Sequence, residues 1–278
     1  MYLVTGATGN VGGAVVRALV DAGAEVRGLS RDPGRAGPDL PPGATAVAGD
    51  LNRPETLAGP LEGVRAAFLL PGYADMPGAM AEVKRAGVDR VVLLSGSAVL
   101  ATDTGNAISR YMIESETAVR DSGVPWTILR PVGFMSNTLQ WAPLLRAGDM
   151  VRAPFAGVRV ANIDPYDIGA VAAAALLSGG HEGRAYSLSG PASLLPADRV
   201  EILAKVLGRD LRFEAQPDDA ARAEMSAAMP AEYVAAFFSF YADGTLDESQ
   251  VLPTVEEIVG RPPRTFEQWA TAHAGAFR

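Results

Sequence analysis

The chain opens MYLVTGATGNVGGAVVRALVDAGAEVRGLSRDP over residues 1–33, and the reading of this stretch decides the fold. Tyr2–Thr5 reads as a short buried strand, and a turn with glycines at 6, 9 and 12 follows. Val11–Ala22 then carries apolar residues at helical spacing and closes at Gly23, a C-terminal stop. Glu25–Ser30 reads as a second strand. Strand, glycine turn, helix and strand in that order make one right-handed βαβ unit of a parallel sheet.

Within the turn, Gly6 permits a tight departure from the strand, where a Cβ would restrict the backbone. Gly9 lets the main chain approach a ligand closely, and Gly12 lets the helix pack against the sheet. The helix N-terminus then offers unpaired N–H groups and a partial positive charge. In this context the spacing predicts a cradle for a dinucleotide pyrophosphate, formed by Gly6, Thr8, Gly9, Asn10, Val11 and Gly12. An ordinary glycine-rich turn is the alternative.

Arg31 follows directly on the second strand. An acid there would accept from a ribose 2′-hydroxyl, whereas an arginine accommodates a 2′-phosphate through two parallel hydrogen bonds. Position 31 therefore favours NADP(H) over NAD(H). Two alternatives stay open: Arg31 as a solvated surface residue, and Asp32 next door turning inward.

Further along, Ala44–Ala48, Val64–Leu70, Arg90–Leu94, Trp126–Leu129 and Ala185–Leu188 read as strands. Their near-continuous apolar character fits a sheet covered on both faces. Helical patterns lie between them near 54–62 and 76–86, at Ala107–Asp121, and at Asp164–Leu177, where Asp164 caps and Pro165 occupies the first turn. After Gly190-Pro191 the pattern becomes helical and amphipathic near 196–207, 217–242 and 252–259. The expected architecture is α/β, a Rossmann-type doubly wound parallel sheet with a smaller, mostly helical C-terminal substrate region. Residues 1–131, completed by about 161–190, would form the sheet; 132–160 and 191–278 would form the substrate side.

Composition narrows the function. The 278 residues carry a net charge of −8, which argues against sequence-independent nucleic-acid binding. There is no cysteine, so disulfides, thiolate metal sites and cysteine nucleophiles are excluded. The only histidines, His181 and His273, lie far apart, which disfavours a histidine metal site; His181 reads as a loop residue and His273 as part of an exposed helix. No stretch of about 18 uncharged apolar residues appears, and no secretory leader pattern opens the chain. A cytoplasmic protein, monomeric or homodimeric, acting on a small molecule is the expectation.

Five segments carry a family resemblance: TGATGNVGG at 5–13, LSRDP at 29–33, AGDL at 48–51, SGVPWTILRP at 122–131 and GRPPRTFEQWA at 260–270. Together they resemble the NmrA-like family of atypical short-chain dehydrogenases/reductases, over essentially the whole chain. The resemblance implies a Rossmann fold with NADP(H) in the glycine turn. It implies Asp50 and Leu51 beside the adenine, Leu70, Pro71 and Gly72 along the path to the nicotinamide, and Ser95 near it. For Asp50, a turn or helix-capping acid is the alternative.

The wider superfamily reduces carbonyls with a Tyr-x-x-x-Lys pair, in which the lysine lowers the tyrosine pKa so that the phenol serves as general acid. None of the seven tyrosines here is followed by lysine at that spacing; Tyr111 is followed by Ser115. Sliding the register so that Glu116 takes the place of the family's helix glutamate puts Met112 at the lysine position.

Two functional classes survive. One is an NADPH-dependent reductase whose acceptor, a quinone or a related aromatic or enone carbonyl, yields a delocalised, weakly basic oxyanion that needs little acid help. Ser95, Ser97 or Tyr111 could donate a hydrogen bond to that oxygen. The other class is a non-catalytic NADP(H) sensor, also found among NmrA-like proteins. The aromatic run Tyr233, Phe237, Phe238, Phe240 and Tyr241, with Trp141 and Phe134-Met135 upstream, favours the reductase as an apolar roof for a planar substrate. Such a stripe can equally be core.

Overall fold

The computed structural model describes residues 1–278. The apolar runs between glycines fold as strands β1 (Tyr2–Thr5), β2 (Val26–Ser30), β3 (Ala44–Ala48), β4 (Ala66–Leu69), β5 (Arg90–Leu94) and β6 (Trp126–Pro131). β7 (Met150–Ala153), β8 (Arg184–Leu188) and β9 (Arg212–Ala215) follow. Seven of these form one parallel sheet in the order β3-β2-β1-β4-β5-β6-β8. The order reverses at β1, where Val4 pairs with Gly28 on one side and Phe68 on the other. Ligands of open α/β sheets bind outside the carboxyl ends of the strands at such a switch point.

Crossover helices cover both faces. The first four are α1 (Asn10–Asp21), the single turns α2 (Pro33–Ala36) and α3 (Ala58–Leu61), and α4 (Met76–Arg85). α5 (Ala107–Asp121), the short α6 (Ala142–Ala147) and α7 (Pro165–Leu177) follow. One face is sealed by α1 and α7, whose Val11, Val15, Leu19, Ile168 and Val171 pack with Val4 and Phe68. The two helices meet almost backbone to backbone, since a Cβ on Gly169 would lie 2.7 Å from Ala14. On the other face Met80 and Val83 of α4 and Val119 of α5 pack with Leu3, Leu69, Leu93 and Ile128.

The C-terminal part contributes α8 (Pro196–Leu207), α9 (Asp218–Ala228), α10 (Ala231–Tyr241), α11 (Thr254–Val259) and α12 (Phe266–Ala272). Trp141, Val151, Leu203, Phe266, Trp269 and Phe277 share an apolar cluster of their own. The expected continuous helix over 217–242 is two helices: Met229 precedes Pro230, and the residue before proline is pushed out of the helical region, here to φ −147° and ψ 161°. The helix expected near 54–62 is reduced to a 3₁₀ turn at Pro54–Thr56 and the single turn α3, because Pro54, Gly59 and Pro60 interrupt it. The sequence reading passed over β7 and β9, which pair in parallel as a separate ribbon. A Thr265–Gln268 capping box starts α12, the helix that His273 closes. The Asp164 cap of α7 is present, its side chain accepting from the Tyr166 N–H at 2.9 Å. No helix is long and apolar enough to cross a membrane.

Candidate active site

The turn between β1 and α1 is built around glycine. Gly6 sits at φ +61°, where L side chains are strained, and a Cβ there would also lie 2.6 Å from Leu70 Cδ1. A Cβ on Gly12 would meet the Gly6 carbonyl oxygen at 2.1 Å. Gly9 caps α1 without a side chain, and the first helical bond runs from Gly13 N–H to Gly9 O at 2.8 Å. The N–H groups of Asn10, Val11 and Gly12 are therefore free of partners, at the positive end of the helix dipole. Thr8, Gly9 and Asn10 are exposed, whereas Val11 and Gly12 are buried against the sheet. Such a cradle fits a pyrophosphate: it is open, offers donors only, and has no room for a side chain.

Across the switch point, Leu70 leaves β4 with its N–H donating to Thr5 Oγ1 at 2.9 Å, which ties the two strand ends together. Pro71 is half-buried and Gly72 is exposed at φ +84°. Tyr111 of α5 packs directly on Gly72: a Cβ there would stand 3.2 Å from the Tyr111 ring. Ser115 Oγ accepts from Gly72 N–H at 2.9 Å, fixing this loop to α5.

On the other flank, Arg31 is exposed and makes no ion pair with the protein. Asp32 turns to its own helix, its carboxylate accepting from Arg35 N–H at 3.1 Å, so it does not occupy the place of Arg31. Asp50 accepts from Asn52 N–H at 3.0 Å as a turn acid at the end of β3. Leu51 is buried among the apolar residues that include Leu57 and Leu61. Tyr73, which the sequence reading did not single out, joins this edge. Burial, then the Asp50 carboxylate, push its phenol up, while the Arg31 charge pulls it down.

The three candidate donors differ sharply. Ser95 is buried and donates to Glu116 Oε1 at 2.7 Å. Burial alone would raise the Glu116 carboxyl, but hydrogen bonds from Arg130 and Ser95 and the charges of Arg130 and Arg120 outweigh it and hold it low. Arg130 grips Glu116 through two bonds of 2.9 and 2.7 Å. Ser97 donates to Glu248 Oε1, which also accepts from Gly133 N–H at 3.0 Å, while Tyr241 donates to Oε2 at 2.9 Å. Glu248 is buried, and that burial raises its carboxyl despite the three donors. Tyr111 is half-buried and its hydroxyl has no partner within the protein; burial, then neighbouring Tyr233, push the phenol up. It is a neutral hydrogen-bond donor at physiological pH. Met112, at the alternative lysine position, packs its sulfur against Gly96.

The aromatic run divides. Trp141, Phe238 and Phe240 are buried core residues, as is Met135, so they do not line an open roof. Tyr233, Phe237 and Tyr241 are half-buried and pack around Ala236 and Phe240 together with Tyr111 and Met112. Phe155 joins them, its ring 5.3 Å from Tyr241, in the left-handed region at φ +55° that non-glycine residues rarely adopt. His181 stays in the loop before β8, bonded to Tyr186 at 3.0 Å. His273 is not on an exposed helix face: half-buried at the end of α12, it stacks on Trp269 at 4.8 Å.

Glu248 and Arg199, like Tyr73, are residues the sequence reading missed. Glu248 lies in ADGTLDESQ, an acidic run that reads as solvated, and only the folded chain shows it buried.

A glycine cradle at a topological switch point defines a Rossmann-type dinucleotide-binding protein. The sequence pattern of the NAD(P)H-binding family matches residues 6–178, and the chain belongs to that family, among NAD(P)H-dependent reductases. It is 45% identical to (4-alkanoyl-5-oxo-2,5-dihydrofuran-3-yl)methyl phosphate reductase of Streptomyces griseus, over 100% of this chain and 99% of that protein. It is 37% identical to NAD(P)H azoreductase of Xenophilus azovorans, over 100% and 99%. Among solved structures, an NADPH-dependent quinone oxidoreductase of Escherichia coli complexed with NADPH superposes with a TM-score of 0.82. It covers 98% of this chain and 99% of its own at 23% identity, and shares the fold. The NmrA-like, quinone-reductase-type resemblance and the Rossmann architecture read from the sequence are borne out.

Proposed function

We propose that the chain is an NADPH-dependent reductase of conjugated, electrophilic acceptors, a quinone or an enone such as an acylated butenolide. Gly6, Thr8, Gly9, Asn10, Val11 and Gly12 hold the pyrophosphate, Arg31 grips the 2′-phosphate, and Asp50 and Leu51 flank the adenine. Leu70, Pro71, Gly72 and Ser95 border the nicotinamide. Residues 132–160 and 191–278 form the substrate side. The bound cofactor supplies the hydride; the chain's own residues orient the acceptor and receive its charge.

The observation that carries this reading is the state of Tyr111. Its phenol is unpaired within the protein, packs beside Gly72 and has a raised pKa, and both lysines lie off α5, Lys84 on α4 and Lys205 on α8. A phenol in that condition stabilises a developing oxyanion by hydrogen bonding but is a poor proton donor at neutral pH. Acceptors that spread the incoming charge over a π system need only the former. Ser95 and Ser97, bonded to Glu116 and Glu248, serve as positioning residues at the end of β5. Relatives named for a butenolide phosphate, an azo compound and a quinone act on conjugated acceptors of this kind, which supports the choice.

The test is loss of NADPH absorbance against a panel of para-quinones, acyl butenolides, azo dyes and simple ketones. Turnover of the conjugated acceptors and none of the ketones is expected. Tight NADPH binding without turnover of any acceptor would return the sensor reading.

A further inference from the structure

Arg199 stands out among the arginines. It lies in α8 with its guanidinium over the Trp141 ring, 4.8 Å from the centroid. Nη1 reaches Thr138 Oγ1 at a long 3.4 Å, and Nε is shielded from solvent with no hydrogen-bond partner. No carboxylate pairs with it. By contrast Arg130, Arg261 and Arg264, also partly shielded, hold Glu116, Asp167 and Asp164. A guanidinium has five N–H donors, and here one long bond engages them. The side chain is half-buried, and leaving its shielded Nε without a partner is costly. Burial lowers its pKa to about 10, so it keeps its charge at neutral pH.

Its position is informative. Tyr241, a neutral phenol because burial and Glu248 push its pKa up, donates its hydroxyl to Glu248 Oε2 at 2.9 Å. Glu248 in turn accepts from Ser97, just past β5, and from Gly133, just past β6. Through Thr138 and Trp141, both in the segment that follows β6, Arg199 is held on the carboxyl side of the sheet, the side on which the glycine cradle opens. Two more shielded groups without partners belong to the same segments: Ser136 Oγ, two residues before Thr138, and Asn162 Oδ1, whose amide nitrogen donates to Gly133 O at 3.0 Å.

We propose that Arg199 is the anion-recognising residue of the substrate site and takes a phosphate monoester carried by the acceptor. This inference rests on the reductase reading above. A phosphate monoester presents several acceptor oxygens and up to two charges to the planar fork, matching it bidentately. Thr138 supplies a neutral hydroxyl beside it, and no carboxylate stands within ion-pair reach to compete for the guanidinium.

The experiment uses the full chain saturated with NADP⁺, which occupies the cofactor's own phosphate sites. Calorimetric titration with phenyl phosphate and with benzyl alcohol is expected to show about tenfold or greater preference for the phosphate. Arg199→Gln removes the preference and Arg199→Lys restores part of it, with NADPH fluorescence titration reporting that the cradle is intact. In turnover, Arg199→Gln should raise KM about tenfold or more for a butenolide bearing a methyl phosphate at nearly unchanged kcat, and leave the KM of its hydroxymethyl counterpart where it was. Equal binding of phenyl phosphate and benzyl alcohol to the unmodified protein would overturn the proposal, even if every variant failed to fold. So would equal losses on both butenolides. Tighter binding of benzoate or benzenesulfonate than of phenyl phosphate would overturn the phosphate assignment. A phosphate preference in a protein that turns over no acceptor leaves the anion site standing and removes the reductase.

Discussion

Gly12 stands so close to Gly6 that a Cβ on Gly12 would lie 2.1 Å from the Gly6 carbonyl oxygen. The neighbour is backbone and cannot swing aside. Gly12→Ala must therefore push the start of α1 away from the turn and misalign the free N–H groups of Asn10–Gly12. We expect destabilisation by about 1–3 kcal/mol, and NADPH affinity reduced by about a hundredfold. Thermal melting and a fluorescence titration with NADPH check both; a Gly12→Ala variant that binds NADPH normally would remove the cradle from the account.

Arg31 is exposed and unpaired, so its replacement disturbs no internal bond. Arg31→Ala should leave melting temperature and NADH affinity unchanged and weaken NADPH by about tenfold or more, the worth of a charged hydrogen-bonded pair. Equal NADPH and NADH affinities in the unmodified protein would refute the role given to this side chain.

Tyr111 carries a raised phenol and no partner hydroxyl. It stays neutral through physiological pH, so turnover of a quinone should be flat from about pH 6 to 8 with respect to this group. Tyr111→Phe should lower kcat by about tenfold with NADPH affinity intact, as expected for one lost oxyanion donor. A phenylalanine variant with full activity would take Tyr111 out of the mechanism and leave hydride transfer untouched.

Glu116 binds Arg130, Arg120 and Ser95 from a buried position. Its carboxyl is held below the ordinary 4.5, so its stabilising contribution is present above that value and is lost as pH falls through the lowered one. Glu116→Gln breaks a buried ion pair and should cost about 3 kcal/mol at neutral pH. The gap should close in acid, where the parent's carboxylate is itself protonated. Urea unfolding at pH 7 and in strong acid reads this directly; a gap independent of pH would disprove the ionic origin.

Much of the fold was legible because it is written locally. A strand needs a few apolar residues between breakers, a helix needs its period and its stop, and a pyrophosphate turn needs glycine where no Cβ fits. Tyr2–Thr5, Gly6, Gly9, Gly12, α5 over Ala107–Asp121 and Asp164-capped α7 all announce themselves in this way. The β7–β9 ribbon did not, since each strand is four residues long and finds its partner only across some sixty residues of chain.

The amino-acid sequence by itself determined the parallel sheet, the glycine turn and an arginine placed just after the second strand, because short-range geometry and residue chemistry suffice for each. Only the tertiary structure decided that Ser97 meets Glu248, 151 residues away, that Phe238 and Phe240 are core, and that Arg199 has no acid beside it. Burial and pairing are sums over distant segments, and nothing in a residue's immediate neighbours fixes which water molecules it will lose.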